Sequence, residues 1–393
     1  MYRIRLLRQG LVAATALGLI VSIANQFPTA QAQVGQASAL FLQIEPDSRA
    51  TGMGGAGVAI ADNATAIFWN PGGLAFQEGI EVSLTHSPYL SSLDAGLFYD
   101  FLAASYNIPG IGTFAGHLTY LNLGEQEHRD PNNILIDTFR SYELAVGASY
   151  ARPITSRLGL GGGIRLIYSS IATGIDVEGT NTEAGVTFGV DLGLLYRAPS
   201  LNLGGIQVEP SLGFNLANMG PAIKYSSDPN SFGDPIPTTL RFGGALSSNL
   251  DQFNRITWAL DFGKGIIDRN DDGSPRAFPQ TLFSSWRARE VDLNPNDTPE
   301  NTPCTEDPTC EVVSAFRQLT IGTGLEYWYN NLFALRTGYY YEDPFNGNRQ
   351  LLTFGAGVRY SVVGIDFSYI YALDEQSPVA DTMRFSILLN LNR

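Results

Sequence analysis

A period of two in hydrophobicity is the feature that most restricts what this chain can fold into. Between Tyr142 and Tyr150 one set of positions carries Tyr142, Leu144, Val146, Ala148 and Tyr150, and the other carries Glu143, Ala145, Gly147 and Ser149. From Leu352 to Tyr360, Leu352, Phe354, Ala356, Val358 and Tyr360 alternate with Thr353, Gly355, Gly357 and Arg359. Successive side chains of a strand point to opposite faces, so each segment sets one face against an apolar medium and the other against a polar one. The pattern predicts fourteen strands, at 79–87, 97–107, 112–124, 138–151, 158–172, 182–197, 206–217, 237–248, 255–265, 317–329, 332–342, 350–361, 363–373 and 382–392. Connections after even-numbered strands are short and those after odd-numbered strands are generally long, up to the acidic stretch 266–316. In an antiparallel run, odd and even connections emerge on opposite sides, so this parity gives the layer a direction. The expected fold is an all-β, fourteen-stranded antiparallel transmembrane β-barrel over 79–393, with short periplasmic turns and long outer loops.

A β-sandwich also alternates. Here, however, the polar positions are rich in Gly and Ser with isolated charges. Aromatic residues gather near strand ends, at Tyr327, Trp328 and Tyr329 and at Tyr339, Tyr340 and Tyr341, as in the interfacial girdles of membrane barrels. No apolar run after residue 27 approaches the roughly 20 residues of a membrane helix. Strands can enter lipid only as a closed barrel, because an open edge leaves backbone groups unsatisfied.

The first residues read as a separate element. Arg3, Arg5 and Arg8 precede an apolar stretch from Gly10 to Ile23 and a small-residue site at Ala30-Gln31-Ala32, which predicts an export signal over 1–32. Removing those arginines makes the remainder more acidic than the −14 of the whole chain. That balance opposes nucleic-acid binding, which needs clustered Lys and Arg. Cys304 and Cys310 are the two cysteines, and an oxidising compartment favours a disulfide between them.

Residues 33–78 break the alternation and are expected to fold back into the lumen as a plug. They contain Gly52, Gly54 and Gly57, then Asn70 and Pro71. Asp62 is placed to cap a short helix that Pro71 ends. The three glycines match G-x-G-x-x-G, but no βαβ unit surrounds them, so tight packing accounts for them better than a nucleotide. Asp268, Asn270, Asp272 and Gly273 resemble the start of a calcium loop, yet Pro279 stands where the bidentate Glu belongs. His86, His117 and His128 have no metal-ligand spacing, and no catalytic constellation is visible. The expectation is a protein that is not an enzyme and carries no cofactor or metal. Glu143, Arg165, Arg336, Arg359, Asp366 and Arg384 fall on lumen faces. Their simplest role is to pair with one another and hold plug and wall together; contact with a passing substrate is the other.

The stretch from Arg49 to Ala59, continuing to Phe68-Trp69-Asn70-Pro71-Gly72-Gly73-Leu74, resembles the plug of the FadL-like superfamily of fourteen-stranded barrels. Three later stretches are similar to the PorV family, in the PorV/PorQ branch. They are Leu216–Pro221 with Ile236–Arg241, Glu326–Asn331 with Phe333–Tyr339, and Gly347–Arg349 with Gly364–Tyr369 and Asp381–Phe385. The chain departs from the usual barrel ending, since Asn390-Leu391-Asn392-Arg393 lacks a terminal aromatic. The resemblance implies an outer-membrane component of type IX secretion that binds translocated cargo through its C-terminal domain. Its expected partners are membrane lipid, the translocon barrel, cargo proteins and a PorU-type attachment complex. Outer loops 218–236, 266–316, 342–349 and 374–381 are the expected cargo surface. The alternative is a FadL-like transporter of long-chain fatty acids or other hydrophobic molecules.

Overall fold

The computed structural model describes residues 37–90, 96–129, 132–177, 180–228, 231–270, 272–292, 310–374 and 377–391. Among these, fourteen strands close into one antiparallel wall: β1 Ile80–Pro88, β2 Phe98–Ile108, β3 Gly112–Arg129, β4 Leu135–Pro153, β5 Leu158–Ser170, β6 Gly185–Arg197, β7 Ile206–Met219, β8 Thr239–Asn249, β9 Asn254–Gly265, β10 Leu319–Tyr329, β11 Phe333–Tyr341, β12 Gln350–Tyr360, β13 Val363–Ala372 and β14 Thr382–Asn390. Every strand pairs with its neighbours in sequence, and β14 closes on β1 with Leu84 opposite Ile387.

Burial identifies the two media. Leu166 is 57% exposed and Leu335 63%, while Ser83 and Thr85 are fully buried. A water-soluble sandwich would invert this arrangement. Apolar side chains outside and polar ones inside are what a lipid exterior requires.

The segment ahead of β1 fills the lumen. Ser38 N donates to Pro235 O in the outer β7–β8 connection at 3.0 Å, so the described chain starts at the outer side. It passes through a 3₁₀ turn at Leu40–Gln43 and helix α1, Ser48–Thr51, then helix α2, Ala66–Trp69, and a 3₁₀ turn at Pro71–Phe76. β1 then begins on the periplasmic side. Asp47 caps α1 by accepting from Ala50 N at 2.7 Å. Asp62 does not cap α2, contrary to expectation. The N-cap is Thr65, with no side-chain bond, and Asp62 is drawn to Arg49 instead.

Three further expectations need revision. Residues 125–137 were expected to be mostly loop, but β3 and β4 continue as a ribbon to Arg129 and Leu135, because the ladder persists across two irregularities. Trp328 and Tyr340 do not join an outer girdle. The period of two turns them inward between Tyr327, Tyr329 and Tyr339, Tyr341; Trp328 lines an inner cavity and Tyr340 packs near Arg349. The outer connection after β9 is not wholly irregular, since Arg289–Asp292 pairs with Cys310–Val313. The expected signal at 1–32, residue Cys304 and the side chain of Cys310 lie outside what is described, so the expected disulfide does too.

Candidate functional site

The plug meets the wall backbone to backbone, which explains glycine on both sides. Gly54 has φ of 68°, and its N donates to Thr353 Oγ1 at 2.9 Å. Across from it, a Cβ on Gly338 would lie 2.2 Å from Gly54 N. A Cβ on Gly52 would lie 3.1 Å from the Cα of Gly355. The amides of Gly57 and Val58 both donate to Asp261 Oδ2 at 2.7 Å. Asn70 Nδ2 donates to Val58 O at 2.9 Å and to Leu194 O at 2.8 Å, while its Oδ1 accepts from Gly72 N at 3.0 Å. Pro71 lies against β5 and β6, where a Cβ on Gly161 would be 2.2 Å from Pro71 O. Asp47 joins the two plug helices, since its Oδ2 accepts from Trp69 Nε1 at 2.5 Å and Thr65 Oγ1 at 2.9 Å.

A chain of alternating charges, buried except at its Asp62 end, runs from plug to wall. Arg49 donates from Nε and Nη2 to Glu326 at 2.9 and 2.8 Å. Glu326 also accepts from Arg336 Nε at 2.7 Å. Arg336 Nη1 reaches Asp366 at 2.8 Å, and Asp366 binds Arg359 at 2.5 Å. The other end is Asp62, 2.5 Å from Arg49. Three carboxylates face three guanidiniums, so the chain is neutral. That balance lets ions persist where single ones would be costly. Trp328 stacks near both Arg336 and Arg359, with the guanidinium carbons 5.4 and 5.3 Å from its ring centre.

Of the lumen charges expected from the sequence, Arg336, Arg359 and Asp366 therefore come together. Arg384 touches the plug elsewhere, donating to Thr51 Oγ1 at 2.7 Å. Glu143 and Arg165 stay within the wall. Glu143 accepts from Ser169 Oγ at 2.7 Å, and Arg165 pairs with Asp191. Asp191 Oδ1 also accepts from Asn218 N at 2.8 Å, fixing a bulge where β7 slips against β6. Sequence reasoning missed Glu326, Asp261, Asp191 and Asp47. The first three were detectable as isolated carboxylates at inward positions of alternating strands.

Below the plug opens a vestibule of about 810 Å³, bordered by the short β4–β5 and β6–β7 turns and floored by Ala59, Ile60 and Asp62. Arg157, Arg197, Arg255 and Glu209 make its rim. It is a polar chamber. At the opposite mouth the loops tie to one another. Arg317 Nε binds Asp343 Oδ2 at 2.8 Å, and its Nη1 binds Glu311 at 2.6 Å. These two carboxylates hold the Arg317 guanidinium above its ordinary pKa range. Arg349 Nε binds Glu342 at 2.6 Å. In the calcium-like stretch, Arg276 sits 3.0 Å from Asp268. Among the described residues no cluster of three or more metal-ligating side chains is found.

A family described as "Type IX secretion system protein PorV" matches over residues 27–271. The chain belongs to the PorV family. PorV-type barrels are in general not enzymes, and a barrel of this family resides in the outer membrane. This PorV-family chain is thus an outer-membrane component of type IX secretion and associates with that machinery. No curated protein matches it. Among solved structures it is similar to the Ralstonia pickettii toluene transporter TbuX, with 14% identity, a TM-score of 0.45 and coverage of 88% of this chain and 97% of that one. For the Pseudomonas putida toluene transporter TodX the values are 12%, 0.49, 89% and 100%. For a Pseudomonas aeruginosa FadL homologue they are 11%, 0.44, 88% and 98%.

Proposed function

We propose that this PorV-family barrel receives proteins emerging from the type IX translocon by binding their C-terminal domains at its outer rim, and carries them to a PorU-type attachment complex. What carries the proposal is the closed lumen. The plug is fastened to the wall by the Arg49–Glu326–Arg336–Asp366–Arg359 chain and by backbone bonds to Asp261 and Thr353. A barrel stoppered in this way works at its surface, and its outer connections are its most extended exposed parts. The vestibule is lined by arginines and carboxylates, which suits a hydrophobic ligand poorly; transport of long-chain fatty acids is therefore the second reading.

In this account residues 1–32 direct export, the lumen charges anchor the plug, and the protein does no covalent chemistry. Cargo contacts fall on loops 218–236, 266–316, 342–349 and 374–381. The test is purification in mild detergent from a cell secreting type IX cargo. Recovery with a very large barrel and exported proteins is expected. Recovery alone, with stoichiometric fatty acid, would overturn the proposal.

A further inference from the structure

Part of the outer β9–β10 connection lies on the outside of the wall. Asp261 points inward, since it accepts from the plug amides of Gly57 and Val58. The period of two therefore turns Phe262 and Lys264 outward, to the lipid side. Lys264 is nevertheless only 3% exposed. Its Nζ donates to Gln318 Oε1 at 2.6 Å and lies 5.7 Å from the centre of the Trp286 ring. The strands beside it are covered in the same way. Asn215 donates to Phe68 O in the plug and Arg241 stacks on the Phe68 ring, so their neighbours Leu216 and Leu240, paired with each other, face outward. These two join Val190, Met219, Ile266 and Leu282 in one apolar cluster. Leu282 belongs to a one-turn helix, α3 Thr281–Ser284, and Gln318 Nε2 pins the residues after it by donating to Arg287 O at 3.0 Å. Residues 281–287 thus form a hood over the outer ends of β7, β8 and β9.

The hood has a second apolar side. Leu282 packs on the wall, while the next residue, Phe283, is turned away and 82% exposed. Trp286 covers Lys264 with one face and leaves the rest of its ring exposed. Arg287, also exposed, has no side-chain partner among the described residues. Position along the strands identifies the medium outside. Phe242 and Phe262, paired and stacked with ring centres 5.1 Å apart, are the outermost uncovered pair on β8 and β9. Lys264, under the hood, is two residues and about 7 Å further along β9. The exposed side of the hood is therefore continuous with the lipid face of the wall and begins where its uncovered apolar band ends. That is the level of the interfacial belts, where aromatic rings and long cationic side chains gather.

We infer that residues 281–287 are an interfacial anchor that seats Phe283 and the free edge of Trp286 in the outer leaflet around the barrel, with Arg287 at the level of the headgroup phosphates. Lipid is the occupant that matches a patch joined without a break to a lipid-facing wall. An apolar patch of this kind marks a membrane contact when aromatic residues on it are flanked by a cation. The inference assigns this stretch of the 266–316 connection to the membrane and leaves the remainder for cargo. It does not depend on the cargo reading.

Collision measurements on a nitroxide test it. The full-length barrel carries Phe283→Cys in a background of Cys304→Ser and Cys310→Ser, and one labelled barrel is placed in each phospholipid nanodisc. Position 283 is exposed, so the label fits without repacking. Collisions with oxygen, which concentrates in lipid, should exceed those with a water-soluble nickel chelate at least threefold, as for a label at Leu335→Cys on the lipid face. A label at Asn270→Cys in the same connection should show the reverse. Preference for the chelate at 283 would place it in water and overturn the inference. Low collision with both reagents would place it against protein and overturn it equally. Brominated phospholipid gives a second readout. The emission lost in Trp286→Phe, taken by difference from the unsubstituted barrel, should be at least half quenched; an unquenched difference would also overturn the anchor.

Discussion

Glu326→Gln is the sharpest probe of the plug lock. Glu326 is 1% exposed and accepts three charge-assisted hydrogen bonds, two from Arg49 and one from Arg336. The amide keeps the size of the carboxylate but removes its charge and turns an NH₂ toward guanidinium donors. Two buried arginines then share a neutral partner. Breaking a buried pair in this way costs about 3–5 kcal/mol. Most of that cost is relieved if Arg49 swings out with the plug, since Asp62, its other partner, is half exposed. The plug's opening equilibrium should rise by roughly 100- to 4000-fold, at about 1.4 kcal/mol per tenfold. The observable is exchange of the Gly54, Gly57 and Val58 amides, which Thr353 and Asp261 hold in the closed state. Amides of the strand ladders should not change. Arg49→Gln should act in the same direction but less, because Glu326 keeps Arg336. A rise below tenfold for Glu326→Gln, or a larger effect for Arg49→Gln, would refute charge pairing as the lock.

Three further outcomes are expected. Gly338→Ala forces a methyl group to 2.2 Å from Gly54 N, so plug residues should become protease-sensitive while the barrel still resists heat in detergent. Asp47→Ala removes the α1 cap and the acceptor of Trp69 Nε1, at about 1 kcal/mol for the cap and about 1–3 kcal/mol for an orphaned buried donor; denaturant titration of plug release, followed by tryptophan emission, should shift accordingly. Leu166→Arg puts a charge on the lipid face of β5 and should cost about 2–4 kcal/mol in a refolding titration into vesicles, whereas Leu388→Arg, on the inner face, should not show that depth-dependent penalty.

Much of the wall was legible because the relevant signal is local. Tyr142 to Tyr150 declares its two faces within nine residues, and the same holds from Leu352 to Tyr360. Where expectation and structure part, the missing information is long-range. Asp62 sits where a cap belongs, but a guanidinium thirteen residues earlier competes for it and wins. Residues 125–137 look like a charged loop, yet pairing already established between Asn122 and Tyr142 extends to Arg129 and Leu135. Trp328 counts as a girdle aromatic by composition and as a lumen residue by parity. Parity decides, because a strand cannot turn two neighbouring side chains to one face.

The amino-acid sequence by itself determined a closed barrel, its strand number, the outer and periplasmic sides, and a glycine-rich segment too irregular to join the wall. Period-two hydrophobicity and loop parity act over tens of residues and need no partner to be read. Only the tertiary structure decided which glycines face which, that Arg49 meets a carboxylate 277 residues away, and that the lumen is locked rather than merely occupied. The physical reason is closure. Bringing β14 onto β1 sets the lumen's width, and that width determines which inward charges come within bonding distance of the plug.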